Sequence, residues 1–162
     1  MASNTTFVSG NVLTAAQMNA LPFGIVTATA GGTSGSGFIR NTSTAVTIGT
    51  AAADVSGMTI TFTAISGRIY KVTVTLSDVV SGAGFTPLLV EVTDATPTTK
   101  YQARYVMPAN QTNNITFSYV ETGISGTILR KVRTTGVTGT GTFNTNGAAS
   151  LSIFVIEDIG ST

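Results

Sequence analysis

The feature that most constrains this chain is a period-two alternation of apolar side chains with threonine. In Met58-Thr59-Ile60-Thr61-Phe62-Thr63, the apolar Met58, Ile60 and Phe62 share one side of an extended backbone and three threonines share the other. Tyr70, Val72, Val74 and Leu76 alternate with Lys71, Thr73 and Thr75, and Leu88, Val90 and Val92 with Leu89, Glu91 and Thr93. Ile115, Phe117 and Tyr119 alternate with Thr116 and Ser118. This is the pattern of strands with one face in a core and one in water. Threonine suits the outer face, since its β-branch favours extended backbone and its hydroxyl tolerates solvent.

Turn signals punctuate these runs at Ser66-Gly67, Ser81-Gly82-Ala83-Gly84, Ala95-Thr96-Pro97, Pro108-Ala109-Asn110 and Asn146-Gly147. Strands at this spacing without intervening helices predict an all-β, antiparallel β-sandwich or jelly roll of about eight to ten strands. Leu151-Ser152-Ile153-Phe154-Val155-Ile156 breaks the alternation, being apolar on both faces from Ile153 onward. Such a strand is either central and covered twice or turned toward a subunit interface. The Thr/Gly tract from Thr134 to Thr145 reads as a hairpin at the tip of the body.

The N-terminal region reads differently. Thr14 with Gln17 three residues on makes a capping box, Leu13 and Met18 can form the hydrophobic staple, and Pro22 blocks continuation. The expectation is one helix of about two turns, too short to stand alone. Its apolar residues either pack on their own domain or dock on another protein or subunit. The Gly/Ser stretch Ala30-Gly31-Gly32-Thr33-Ser34-Gly35-Ser36-Gly37 has linker composition and lacks the Gly-Lys-Ser/Thr ending of a phosphate loop. Residues 1–36 are therefore read as an anchoring arm and linker, and 37–162 as the body.

Composition narrows the chemistry. The 162 residues contain no His, Cys or Trp, which removes zinc sites, iron–sulfur centres, disulfides, cysteine nucleophiles and Ser-His-Asp triads. Charged residues make up only 9 %, and the net charge is +1, which argues against nucleic acid as a partner. The mean hydropathy of +0.35 does not come from a membrane span, since no apolar run approaches about 18 residues. No positive segment precedes an apolar stretch near the start, so export by a signal peptide is not expected. Apolar surface buried between subunits is the alternative source.

Seven carboxylates remain: Asp54, Asp78, Glu91, Asp94, Glu121, Glu157 and Asp158. A glycosidase needs two of them across a cleft, and Glu91 with Glu121 is the pair that neighbouring strands would allow. The expectation is instead that each is a solvated strand charge, that no metal or cofactor is bound, and that the chain is not an enzyme. Arg130, Lys131 and Arg133 form a basic cluster, read as a solvated edge strand or as a contact for an acidic surface. Tyr70, Tyr101, Tyr105 and Tyr119 either line a sugar-binding face or pack in core and interface.

The opening Phe7-Val8-Ser9-Gly10-Asn11-Val12-Leu13-Thr14-Ala15-Ala16-Gln17-Met18-Asn19 resembles the start of many small virion proteins of tailed bacteriophages. The segment from Asp54 to Val72 is similar to the central strand pair of that group, and Val155-Ile156-Glu157-Asp158-Ile159-Gly160 to its ending. Together these cover about a quarter of the chain, in the expected order. The resemblance implies a β-sandwich that forms homotrimers on the phage particle, decorating the capsid or sitting on the tail. It brings no catalytic residues. By position, Phe7, Val12, Leu13, Met18 and Leu21 are candidates for docking on the major capsid protein. Ile153, Phe154 and Ile156 are candidates for the subunit interface, from the two-sided apolar character of their strand. The expected role is a capsid decoration or cement protein on the virion surface, assembled in the bacterial cytoplasm. The alternative is a tail-fibre or tail-tip protein that recognises a host surface glycan.

Overall fold

The computed structural model describes residues 24–26, 28–30, 33–34, 37–41, 46–83, 87–143 and 151–161. The expected helix at residues 13–21 lies outside them; within them the chain is all-β. The strands are β1 (Gly24–Ile25), β2 (Ala28–Ala30), β3 (Thr33–Ser34), β4 (Phe38–Asn41), β5 (Val46–Ile48), β6 (Ala53–Ala64) and β7 (Arg68–Ser81). β8 (Leu88–Thr93), β9 (Thr99–Tyr105), β10 (Thr112–Glu121), β11 (Gly126–Gly136), β12 (Gly141–Phe143) and β13 (Ser152–Ser161) follow. That is 13 described strands where the sequence pattern predicts eight to ten. The surplus comes from pieces of two to four residues, too short to show a period.

All pairing is antiparallel, in two sheets. Sheet 1 holds seven strands but only four ranks. β10 lies along one edge of β7, while β13 and then β12 share its other edge, and β1, β4 and β5 line the far side of those two. Sheet 2 runs β3-β2-β6-β11-β8-β9. Residues 24–34, assigned from sequence to the arm and linker, contribute β1 to sheet 1 and β2 and β3 to sheet 2. Pairing therefore begins upstream of residue 37, because these short stretches satisfy their backbone groups on the edges of β13 and β6.

The alternating residues meet as the pattern predicts. Met58, Ile60 and Phe62 of β6, Val72, Val74 and Leu76 of β7, and Val90 and Val92 of β8 are buried between the sheets. Phe154 and Ile156 of β13 are 0 % exposed there. Each such side chain contributes about 1.5–3 kcal/mol of transfer free energy. The Ser66-Gly67 turn joins β6 to β7, with Gly67 in the left-handed region at φ +77°. Gly37 is required by proximity, since a Cβ there would sit 2.5 Å from Val26 Cγ2 and 2.8 Å from the Val26 carbonyl oxygen. Its N–H donates to that oxygen at 2.7 Å, and its own carbonyl accepts from Ile156 N–H at 2.9 Å, which locks the β1–β4 junction onto β13.

β7 changes neighbour at a bulge. Its ladder with β13 runs to Thr75 opposite Ile153, and its ladder with β12 starts at Val79 opposite Phe143. Between them Asp78 takes φ +51°, a conformation that short polar side chains tolerate, and its N–H donates to Asn114 Oδ1 at 2.9 Å. Ser77 covers the gap, its hydroxyl donating to the Leu151 carbonyl at 2.8 Å.

Candidate functional site

The charged residues show first what the chain is not arranged to do. Glu91 stands on the outer side of sheet 2, accepting from Gln102 Nε2 at 2.9 Å and Thr99 Oγ1 at 3.0 Å. Glu121 belongs to sheet 1 and points inward, paired with Arg130 from the opposite sheet. The two glutamates do not face one another across a cleft. Asp158 is also turned inward, in a two-pronged pair with Arg68, whose Nη2 lies 2.6 Å from Oδ1; both side chains are almost fully buried. Both inward pairs follow strand parity: Arg130 falls in step with Ile128 and Val132, and Asp158 with Phe154 and Ile156. This corrects the expectation that these carboxylates are all solvated. Among the described residues, no group of three or more His, Cys, Asp and Glu side chains is placed to hold a metal.

The basic cluster does not form one patch. Arg130 is buried, whereas Lys131 and Arg133 turn outward and share Asp54 at 2.7 and 2.8 Å. Nor is their strand an edge: β11 is central, between β6 and β8. The tyrosines are likewise divided. Tyr70 is in the core, its ring edge-on to Phe62 and its hydroxyl accepting from Ile65 N–H at 2.8 Å. Tyr101 stacks on Phe117 and on Tyr119, with centroids 5.2 and 4.9 Å apart, and the Tyr105 hydroxyl donates to the Thr116 carbonyl at 3.2 Å. These rings seal the seam where β9 of one sheet lies over β10 of the other. Burial, reinforced by the Glu121 carboxylate, raises the Tyr119 hydroxyl well above the ordinary tyrosine range. Burial does the same to Tyr105 to a smaller degree.

What the fold does present is the outer face of sheet 1. The register lines up its side chains in rows, one residue per rank. Val120, Lys71, Glu157 and Ile25 form the first row, and Ser118, Thr73, Val155 and Phe38 the second. Thr116, Thr75 and Ile153 follow, with Arg40 opposite Ile153 in register, and beyond the bulge come Thr112, Val80, Thr142 and Thr47. Of the eight large hydrophobics exposed among the described residues, five lie here: Ile25, Phe38, Val80, Val120 and Ile159. Val120 is 57 % and Ile25 51 % exposed. Lys71 and Glu157 make a loose pair at 3.7 Å, with side chains 44 % and 35 % exposed.

Of the interface candidates on β13, only Ile153 points to this face. Phe154 and Ile156 are sealed between the sheets, because alternation along the strand sends every second side chain inward. They are core residues in this chain. Phe7, Val12, Leu13, Met18 and Leu21 lie outside the described residues. Ile25, Phe38, Val80 and Val120 escape sequence reasoning, since their outward direction depends on a register that only the paired strands define. Val120 alone carries a local signal, standing out of step with Phe117 and Tyr119.

No family model matches the chain, and a search of the curated proteins finds no match. Solved structures do show partial likeness. The enzymatically active domain of tailspike protein 4 from bacteriophage CBA120 aligns at 10 % identity and TM-score 0.30, covering 74 % of this chain and 19 % of that one. The structure of infectious bursal disease virus, Gx strain, aligns at 12 % identity and TM-score 0.35, covering 77 % of this chain and 36 % of that one. The chain thus spans about a fifth and about a third of the proteins it is similar to.

Proposed function

We propose that this chain is a virion structural protein of a tailed phage. In this reading it is a β-sandwich or jelly-roll subunit that decorates the capsid and cements its shell. The observation that carries the reading is the outer face of sheet 1, where apolar and threonine side chains form a continuous surface with few charges. Cement proteins work by burying surface across junctions between shell subunits. A specific contact of that kind buries on the order of 1,000 Å² or more and opposes outward pressure on the shell. The sequence resemblance to small phage virion proteins supports the same assignment. The segment before β1, with Phe7, Val12, Leu13, Met18 and Leu21, is the proposed anchor on the major capsid protein. No residue is assigned a catalytic or cofactor-binding role.

Copy number per particle tests this. Quantitative mass spectrometry of purified virions, referenced to the major capsid protein, should find hundreds of copies for a decoration protein. A handful would move the chain to the tail, where recognition of a host glycan becomes its task. No copies at all would overturn the virion assignment.

A further inference from the structure

We propose that the outer face of sheet 1 is a homotypic interface, on which two copies of this chain pack face to face about a two-fold axis running along the strands between β7 and β13. The argument comes from the rows of that face. Such an axis keeps each row in place and reverses the order of the ranks. β10 of one copy then lies over the β1, β4 and β5 rank of the other, and β7 lies over β13 in both directions.

The face is complementary to itself under that operation. In the first row Lys71 meets Glu157 of the second copy, and Glu157 meets its Lys71, while Val120 meets Ile25 at each end. Cation faces anion twice and apolar faces apolar twice. The pair within one chain is loose, at 3.7 Å with both side chains substantially exposed, so each retains capacity for a bond across the axis. In the second row the bulky Phe38 meets the small Ser118, and Val155 meets Thr73. Ile153 meets Thr75 in the third, and beyond the bulge Val80 meets Thr142. Phe38 over Ser118 sets a large side chain against a small one, Ile153 over Thr75 a longer one against a shorter, and the two Val–Thr pairs are matched in size. An isologous pairing needs this kind of self-match.

The area is sufficient. Four ranks about 4.8 Å apart and roughly 30 Å of strand give on the order of 600 Å² per copy. Doubled, that reaches about 1,200 Å², the lower bound of a specific interface. This inference draws on the same face as the capsid-decoration reading, but its test reads the free chain in solution, so its outcome and the copy number per particle are measured separately. It also differs from the trimer that the sequence resemblance implies, because an isologous face closes at two copies.

Light scattering on the full 162-residue chain, from about 1 to 200 µM, tests it. The expected mass rises with concentration from 16.5 kDa toward twice that value. Val155→Lys and, separately, Val120→Lys place a cation in the face and should each weaken dimerisation by at least tenfold. Both positions point outward, so circular dichroism should show the β-sheet spectrum and melting transition retained. Lys71→Glu should also weaken the dimer, and Lys71→Glu with Glu157→Lys should restore it. A monomer at every concentration, a trimer, or a dimer indifferent to both valine variants overturns the proposal. A folded Val120→Lys chain keeps the test decisive even if Val155→Lys fails to fold.

Discussion

The two outer faces of the molecule use the same threonine-rich alternation and finish it differently. On sheet 2, most outward charges are matched by neighbours in their own sheet, with Arg104 of β9 exposed opposite Leu89 in register. Asp54 takes both Lys131 and Arg133, and Glu91 is held by Gln102 and Thr99. Its outward apolar residues, Leu89 and Leu129, are only partly exposed. On sheet 1, the first row offers one loose ion pair, and exposed Ile25, Phe38, Val80 and Val120 stand among hydroxyls. The exposed large hydrophobics near sheet 2, Ile65, Val106 and Val137, lie just past the ends of β6, β9 and β11 rather than on its face. Among the described residues sheet 1 carries more exposed apolar side chain on its face, and under the proposed function that is the side offered to a partner.

The largest effect expected from breaking this contrast lies on β13, the strand that separates inside from outside in sheet 1. Phe154→Ala removes a fully buried ring and should cost about 3–5 kcal/mol in urea unfolding. Ile153→Ala, one residue away on the outer face, should cost the isolated chain less than about 1 kcal/mol. Equal losses would mean that β13 is covered on both faces within one chain, and the contrast between the sheets would disappear.

Much of this was legible in the residues themselves. Strict alternation identified the inward sides of β6, β7, β8 and β10, because a period of two admits only one burial assignment once a single face is apolar. Ser66-Gly67 and Ala95-Thr96-Pro97 marked true strand connections. Parity also turns Arg130 and Asp158 inward, against the ordinary solvation of charge; Arg68 is 90 residues from Asp158, and Glu121, nine residues before Arg130, faces it only because β10 and β11 lie in opposite sheets. The rows of the outer face were illegible for a different reason. They depend on which strand lies beside which, and β7 exchanges β13 for β12 at a bulge that a single sequence does not reveal. The Thr/Gly tract showed the same limit: Thr134 to Gly136 continue β11, and Gly141 to Phe143 cross into sheet 1 as β12.

A smaller effect should come from the charges of sheet 2. Asp54→Ala removes the shared partner of Lys131 and Arg133, but its side chain is 49 % exposed, so solvent already screens both pairs. The expected loss is under about 1 kcal/mol at low ionic strength, shrinking toward zero near 1 M salt. Chemical denaturation with urea at the two salt concentrations measures it. A loss of several kcal/mol that salt does not change would mean that this face is buried too, which would remove the asymmetry between the sheets.

The smallest effect is electrostatic and local, in the β8–β9 connection of sheet 2. Lys100, 2.9 Å from Asp94, and the Thr98 N–H hold the Asp94 carboxyl down from its ordinary 3.8 to about 2. Because the folded value lies below the ordinary one, the stabilisation is present in full above pH 3.8 and is lost as pH falls toward 2. An NMR titration of the Asp94 carboxyl should show a midpoint near 2, and Lys100→Ala should move it upward toward 3.8. A midpoint unmoved by that substitution would assign the shift to Thr98 and Thr96 instead. Sheet 2 would then hold this charge with backbone and hydroxyl donors, by turn geometry rather than by ion pairing.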